Sequence, residues 1–260
     1  MRLQTPLRLR VARLAAHAGV LALATACIDP GARTTGPSSG AARDGNQALG
    51  DVFVPFVPVI PCADSIFKAD FAADTLNALP GTPVIGTWSR KNQLAGFIRV
   101  RGTVGWLFTK PVELTQYAGL GGGVDLMGKM RCSSAPSTGT AYVDWRSLVH
   151  SSTAYYGAVV LRDDGARALA MLEYRANNLV TYNGMTVPGV TWSTDVPRKF
   201  RIVVDLTGHK TSLYVDNVLK LSSVPYFEAS AANLWRLSME LGGTSAQSFA
   251  WDDVVVVRYG

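Results

Sequence analysis

Residues 200–221, FRIVVDLTGHKTSLYVDNVLKL, contain the pattern that decides the fold class of this 260-residue chain. Phe200 and Ile202 begin a row of apolar residues at every second position, which is the period of a β-strand with one buried face. Two further alternating runs then meet at Asp216 and Asn217, residue types that tolerate positive φ. The stretch therefore predicts a strand followed by a hairpin with a two-residue turn.

The same alternation recurs along most of the chain after residue 62. In WRLSMELG, residues 235–242, apolar residues occupy every second position, which is typical of a strand with one solvent-exposed face. Residues 228–233 form at most one helical turn, and no repeat period is visible. The pattern predicts an all-β sandwich or barrel. Further strands are predicted at 65–71, 84–88, 96–101, 104–110, 123–132, 140–145, 155–162, 167–175, 211–215, 218–222 and 249–259.

The N-terminal segment has the features of an export signal. The first 26 residues contain four arginines and no acidic residue, and an apolar run starts near residue 14. The run is shorter than the about 20 apolar residues that a membrane-spanning helix requires. We therefore predict a signal peptide over residues 1–26.

The end of this segment permits two kinds of cleavage. Residues 24–26, Ala-Thr-Ala, fit the small-x-small pattern of ordinary signal cleavage, which would release a secreted or periplasmic protein. LATAC also resembles the lipobox of bacterial lipoproteins, although Ala24 stands where leucine is usual. The resemblance implies that Cys27 is lipidated and that the lipid anchors the protein to a membrane. We favour a lipid-anchored protein of the bacterial cell envelope. Ile28 rather than aspartate follows Cys27, and the resemblance to enterobacterial lipoproteins then implies the outer membrane.

A tether follows the predicted anchor. Residues 28–50 are rich in Gly, Pro, Ser, Thr and Ala and have no apolar periodicity, so they cannot form a core. In DVFVPFVPVIP, residues 51–61, the prolines exclude a helix, and this segment either lies on the domain or continues the tether. We predict a flexible tether over residues 27–62 and a β-sandwich over 63–260.

The cysteines are consistent with export. They are Cys27, Cys62 and Cys132, and an odd number leaves one unpaired in an oxidising compartment. If Cys27 carries lipid, the other two remain as a pair. A metal or redox site needs closer spacing or more ligands than this pair offers, so we predict a Cys62–Cys132 disulfide.

The charge of the mature chain is close to neutral. Removing the four leader arginines from 25 basic residues leaves 21, against 19 acidic residues. No cluster of Lys and Arg appears along the mature chain. The sequence therefore does not support nucleic acid as a partner.

Three segments of the chain have a recognisable pattern: FRIVVDLTGHKTSLYVDNVLKL, FAWDDVVVVRYG and SIFKADF…LPGTPVIGTW. They are similar to the core hairpin, to the closing strand that pairs beside the first, and to the entry segment of the concanavalin A-like (laminin-G-like) jelly-roll superfamily of lectins and glucanases. The resemblance covers residues 63–110 and 196–260. It implies an antiparallel two-sheet sandwich with a concave face. Because the superfamily includes lectins, glycan hydrolases, lyases and adhesion modules, the fold does not name an activity.

Catalytic motifs are scarce in this chain. The glucanases of the superfamily carry Glu-x-Asp-x-Glu, or nearly so, along one strand, whereas none of the four glutamates here has acidic neighbours at i+2 and i+4. Glu173 is the best-placed single acid. Zinc-ligand spacings and a Gly-x-Ser-x-Gly elbow are missing from the sequence. We assign no catalytic residue and expect a non-catalytic module that binds carbohydrate or another envelope polymer. A lyase or hydrolase with an atypical site and a structural or protein-binding module are the alternatives.

Sugar binding combines aromatic faces with a few convergent polar groups. YVDWRS places Tyr142, Asp144 and Arg146 on one side of a strand, opposite Val143 and Trp145. This side either binds a glycan or forms a surface salt bridge opposite a core tryptophan. The candidate ligand-binding residues are Tyr142, Asp144, Arg146, Trp106 and Trp192.

Calcium is the one cofactor for which the sequence offers ligands, because hard cations prefer oxygen atoms. RDDGAR contains Asp163 and Asp164, and RANN contains Asn177. An ordinary hairpin turn also explains the Asp-Asp-Gly sequence, and we favour the turn. Asp163, Asp164 and Asn177 remain candidate calcium ligands.

Overall fold

The structure is a computed structural model that describes residues 65–102, 108, 110–120, 122–132, 134–152, 157–243 and 245–259. The predicted signal peptide, Cys27, the tether and Cys62 lie outside these residues, as does Trp106. What the sequence predicts for them stays a prediction. In the described part of the chain, no helix is long and apolar enough to cross a membrane.

Fifteen β-strands and no helix make up the regular structure of the described residues. The strands are β1 (Ser65–Ala69), β2 (Thr87–Asn92), β3 (Gly96–Val100), β4 (Val112–Gln116), β5 (Val124–Lys129), β6 (Thr140–Ser152), β7 (Gly157–Arg162), β8 (Ala168–Arg175), β9 (Leu179–Tyr182), β10 (Met185–Thr191), β11 (Arg198–Asp205), β12 (Lys210–Val215), β13 (Val218–Pro225), β14 (Arg236–Leu241) and β15 (Gln247–Tyr259).

The described strands form two antiparallel sheets. The eight-stranded sheet has the order β13-β12-β11-β6-β15-β4-β3, and β1 also pairs with β15. The seven-stranded sheet has the order β10-β9-β8-β7-β14-β5-β2. The prediction of an all-β, antiparallel two-sheet sandwich is confirmed, and so is the pairing of the closing strand with the first.

Successive residues of a strand point to opposite faces of its sheet. The apolar residues on the inward faces of the two sheets form the main core. In β14, Leu237, Met239 and Leu241 are buried in this core, whereas Ser238 and Glu240 point to the outer face, the face directed away from the other sheet. Along β11 the same alternation buries Phe200, Ile202, Val204 and, just after the strand, Leu206. The strand faces predicted from both runs are therefore confirmed.

The predicted two-residue turn joins β12 to β13. Asp216 and Asn217 have φ values of 50° and 66°, which is the pair of positive values that a type I′ turn requires. The Asp216 carboxylate also accepts hydrogen bonds from the Lys199 backbone N–H at 3.0 Å and from Arg198 Nη1 at 2.6 Å. The turn is thereby tied to the start of β11.

Three strands were absent from the sequence-based prediction. β4 was missed because four of its five residues are buried, including Glu113, so its sequence VELTQ shows no clear alternation. β9 and β10 meet at Asn183 and Gly184, with φ values of 47° and 79°. Asn-Gly is a strong signal for a hairpin turn, and the strands were missed because Pro188 and Gly189 interrupt the alternation of the second one.

We expect Asn217→Ala to lower the free energy of unfolding by about 1 kcal/mol, because a residue with an ordinary Cβ is disfavoured at positive φ. Asn217→Gly should be neutral or slightly stabilising, because glycine adopts this conformation freely. Urea unfolding followed by tryptophan fluorescence measures both variants. Equal stability of the alanine and glycine variants would contradict the left-handed conformation of this turn.

Candidate functional site

The sequence-predicted residues Tyr142, Asp144 and Arg146 lie together on the outer face of the eight-stranded sheet. Val143 and Trp145, between them in β6, are buried in the core as predicted. The three outward residues neighbour β11 and β15, which pair with β6 on either side.

Arg201 of β11 occupies the centre of this cluster. Its Nε and Nη2 atoms donate to the two carboxylate oxygens of Asp144 at 2.7 and 2.8 Å, and its guanidinium carbon lies 5.5 Å from the centroid of the Tyr142 ring. Both members of the ion pair are only 7% exposed. The cluster thus contains a buried salt bridge opposite the core tryptophan, so the Asp144 carboxylate is already bonded within the protein.

Trp192 does not join this cluster. It belongs to the core between the sheets, and its indole Nε1 donates to the carbonyl of Arg175 at 2.8 Å. Trp106 lies outside the described residues. Of the five predicted ligand-binding residues, the structure therefore brings together Tyr142, Asp144 and Arg146.

The candidate calcium ligands lie at the two ends of β8. Asp163 and Asp164 belong to the turn between β7 and β8, and Asn177 lies in the turn after β8. The buried Asp163 carboxylate accepts hydrogen bonds from Arg167 N at 2.8 Å and Arg167 Nε at 2.7 Å. A side-chain hydrogen bond from Asn233 lowers the pKa of Asp164. Within the described ranges, no group of three or more His, Cys, Asp or Glu side chains is placed to hold a metal ion.

Cys132 follows β5 and is half-buried, and it forms no disulfide with a described residue. Burial raises the pKa of its thiol. Its predicted partner, Cys62, lies outside the described residues, so the disulfide stays a prediction.

A row of acidic side chains crosses the outer face of the seven-stranded sheet. Glu240 of β14 pairs with Asp125 of β5 on one side and with Ala158 of β7 on the other. Ala158 in turn pairs with Glu173 of β8. We call Asp125, Glu240 and Glu173 the carboxylate row. Because neighbouring strands lie about 4.8 Å apart, Glu240 and Glu173 are about 10 Å apart between their backbones.

Each acid of the carboxylate row is bonded to an arginine. Arg90 pairs with Asp125, Arg162 with Glu240 at 2.9 Å, and Arg175 with Glu173 at 2.6 Å.

Neutral polar side chains add to each of these pairs. Asn92 donates to Asp125 at 3.0 Å, Ser238 to Glu240 at 2.6 Å and Thr181 to Glu173 at 2.9 Å. Charged and neutral polar groups are therefore interspersed over six neighbouring strands of this face, from β2 to β9.

The arginines cover the acids on this face. The side chains of Arg90, Arg162 and Arg175 are 56%, 23% and 42% exposed, whereas those of Asp125, Glu240 and Glu173 are 10%, 20% and 2% exposed. At the Arg90–Asp125 and Arg175–Glu173 pairs, a molecule that approaches this face therefore meets the guanidinium group before the carboxylate, whereas Arg162 and Glu240 are about equally accessible. Guanidinium groups present several fixed donors, which suit the hydroxyl and carboxylate oxygens of a ligand.

Sequence reasoning found only part of the carboxylate row. The sequence indicates Glu173 as the best-placed single acid but does not identify Asp125 or Glu240. The alternation of residues 235–241 contains a usable signal, because it places Glu240 opposite the buried leucines. No short stretch of sequence indicates that Glu240 lies in one row with Asp125 and Glu173 of other strands.

No protein-family model and no curated protein sequence matches this chain. Among solved structures, the catalytic domain of a glycoside hydrolase family 131 protein from Coprinopsis cinerea is similar, with a TM-score of 0.52 and 11% identity, over 76% of this chain and 98% of that one. A sialidase matches with a TM-score of 0.50 and 10% identity over 69% of this chain. The chain spans only 19% of the length of that sialidase.

These identities are low, and the likeness concerns the fold alone. The two antiparallel sheets and the structural matches define the described domain as a concanavalin A-like jelly-roll sandwich. The fold that the sequence resemblance implied is thereby confirmed.

Asp252 of β15 is a buried acid on the outer face of the eight-stranded sheet. Burial raises its pKa to about 6, and the neighbouring charge of Asp253 acts in the same direction. The Asp253 backbone N–H donates to Asp252 Oδ1 at 2.9 Å, and Arg146 lies opposite Asp252 on β6. These two contacts lower the pKa but do not offset burial.

We expect the wild-type protein to become less stable as the pH rises, because Asp252 must ionise in a buried position. The Asp252→Asn variant should not show this decrease. The folded state holds the Asp252 proton up to about pH 6, whereas the unfolded chain releases it near 3.8, so the wild type loses stability between these values. Above pH 7 the variant should be more stable by about 3 kcal/mol, since each unit of pKa difference corresponds to about 1.4 kcal/mol. Urea unfolding from pH 4 to 8 measures the difference, and parallel pH profiles of the two proteins would contradict it.

Proposed function

We propose that the domain is a non-catalytic carbohydrate-binding module and that it binds a polysaccharide across the outer face of the seven-stranded sheet. The observation that carries this proposal is the carboxylate row with its exposed arginines. It offers donors and acceptors at the regular spacing of the strands, and a polymer lying across the strands would meet them one after another. Neighbouring guanidinium, amide and hydroxyl groups are the kinds of group that bond to sugar hydroxyls.

The choice of a glycan as the ligand draws on the structural match. The glycoside hydrolase family 131 domain is, by its name, a domain that acts on glycosides, and it shares the fold of this chain. The fold alone does not name a function. The polar chemistry of the outer face is therefore the main support.

The bonding of the acids favours binding over catalysis. A general acid must reach the glycosidic oxygen within hydrogen-bond distance. Glu173 is almost fully buried and is bonded to Arg175 and Thr181. Glu240 is bonded to Arg162 and Ser238. These acids are thus held by the protein rather than presented to a scissile bond.

One observation favours hydrolysis as the second candidate function. Glu240 and Glu173 face the same side on either side of Ala158, about 10 Å apart between their backbones. Inverting glycosidases hold their two carboxyl groups about 6.5–9.5 Å apart. Release of reducing ends from a polysaccharide, lost in both Glu240→Gln and Glu173→Gln, would replace the binding proposal with a hydrolase.

Binding is tested by titrating the purified full chain with a panel of neutral and acidic polysaccharides in a calorimeter. We expect at least one polysaccharide to bind, and we expect Arg162→Gln to weaken that binding about five- to tenfold, because it removes a charged hydrogen-bond donor. Arg146→Gln is the matched control. Arg146 has a similar exposure, 19% against 23%, and a similar ion pair, 3.1 Å from Asp253, but it lies on the other sheet.

The two variants also decide between the two outer faces. Weakening by Arg162→Gln alone supports the seven-stranded sheet. Weakening by Arg146→Gln alone would move the site to Tyr142, Asp144 and Arg146. If no member of the panel binds to the wild-type protein, the proposed function is wrong.

We also propose that the module is exported and held at the bacterial cell envelope through lipid on Cys27, with residues 28–62 as the tether. We expect the chain to incorporate labelled palmitate in a bacterial host and Cys27→Ser to abolish the label. Cys132→Ser, which changes a cysteine within the domain, should keep it. An unlabelled wild-type chain cleaved after Ala26 would instead support ordinary signal cleavage.

A further inference from the structure

Three cations stand side by side on the seven-stranded sheet. Arg236 of β14 pairs directly with Lys129 of β5 and with Arg162 of β7. We call these three residues the cation row. Lys129 and Arg236 lie four positions from Asp125 and Glu240 along β5 and β14, on the same outer face, because that face takes every second residue.

The cation row weakens the sheet that carries it. Like charges directly opposite each other on neighbouring strands are destabilising. Arg162 is compensated by its ion pair with Glu240. Within the described ranges, no ion pair includes Lys129 or Arg236. Two neighbouring cations thus remain without a carboxylate partner in the part of the chain that the structure describes.

An aromatic ring adjoins the cation row. The Lys129 ammonium lies 4.9 Å from the centroid of the Trp235 ring. The Trp235 backbone is held between the two flanking strands, because its N–H donates to the Arg162 carbonyl at 2.9 Å and its carbonyl accepts from Met130 N–H at 3.0 Å. The half-buried ring is therefore held close to Lys129, with one part in the core and another near the surface.

A surface cavity opens at the Lys129 end of the row. Its volume is about 690 Å³, and its lining includes Lys129 and Arg131 together with residues 82–87. Sites for small ligands have volumes of about 300–1,000 Å³, so the cavity has room for a sugar unit. Both basic side chains are exposed at its margin.

We propose that the cation row binds the anionic substituents of an acidic polysaccharide, either carboxylate or sulfate groups, so that the module prefers acidic over neutral glycans. This inference rests on the proposed function and names its ligand class. A bound anion would offset the repulsion between Lys129 and Arg236, which no described carboxylate offsets. Together with Arg90 and Arg175, the cation row places five cations beside the three acids of the carboxylate row.

A nucleic acid is a poorer occupant than an acidic glycan. Nucleic-acid sites extend basic side chains along many phosphates, and the mature chain has a nearly balanced charge. The cation row is also short, with three cations on neighbouring strands, so it matches a few anionic groups rather than a long row of phosphates. A polynucleotide therefore serves as a control polymer in the test.

Two matched pairs of polymers test the preference for acidic glycans. They are polygalacturonate with its fully methyl-esterified form, and dextran sulfate with dextran. We expect the full chain to bind the acidic member of at least one pair about tenfold more tightly in a calorimeter. We expect this preference to decrease as sodium chloride is added, because salt screens exposed charges.

The double variant Lys129→Gln/Arg236→Gln should weaken binding of the acidic polymer about three- to thirtyfold and leave the neutral polymer unchanged. The control double variant Lys210→Gln/Lys220→Gln removes the same charge from β12 and β13 of the other sheet and should keep the preference. Urea unfolding checks that the Lys129→Gln/Arg236→Gln protein is folded, because the variant removes the like-charge contact and also the contact between Lys129 and Trp235.

Failure of this inference differs from failure of the proposed function. Equal binding of acidic and neutral polymers, or an unchanged preference in Lys129→Gln/Arg236→Gln, would overturn the cation row as an anion site and leave a carbohydrate-binding module. Equally tight binding of a single-stranded DNA oligonucleotide would overturn it in favour of non-specific polyanion binding. Binding of none of the four polysaccharides, nor of any in the wider panel, would overturn the proposed function itself.

Discussion

The continuous ladder of β5, β14 and β7 is the constraint on which the rest of the structure depends. All six residues of β14 pair with both neighbouring strands without a shift in register. Leu237 and Met239 thereby face the core, and Glu240 faces outward. A slip of one residue would turn the leucine and methionine to the surface and Glu240 into the core, at a large cost in buried apolar area. The hydrophobic core thus sets which charges meet on the outer face.

The two outer faces use charge in different ways. On the eight-stranded sheet, Arg201 binds both oxygens of Asp144, and this pair is buried. On the seven-stranded sheet, the arginines lie above the acids and remain accessible. There Lys129 and Arg236 also lack a described carboxylate partner. These accessible donors are the reason that the proposed glycan site lies on the second face.

Alternation predicted much of the fold, because strand faces are a local property. The buried face of β11 and the turn at Asp216 and Asn217 follow from single residue types and their spacing. β4 escaped prediction because Glu113 is buried beside Arg99 and Arg101, so its burial depends on charged partners in other segments. The candidate site was predicted in the same partial way: Tyr142, Asp144 and Arg146 share a face as expected, but the ion-pair partner of Asp144 lies 57 positions away.

The sequence by itself determined the fold class, the faces of its clearest strands and one hairpin turn, because period-two alternation and positive-φ residues act over a few positions. Only the tertiary structure decided which charges are neighbours. Lys129 and Arg236 are 107 positions apart in the chain and meet because β5 and β14 pair in one register. Strand order and register come from packing two whole sheets against each other, and no short stretch of sequence contains that information.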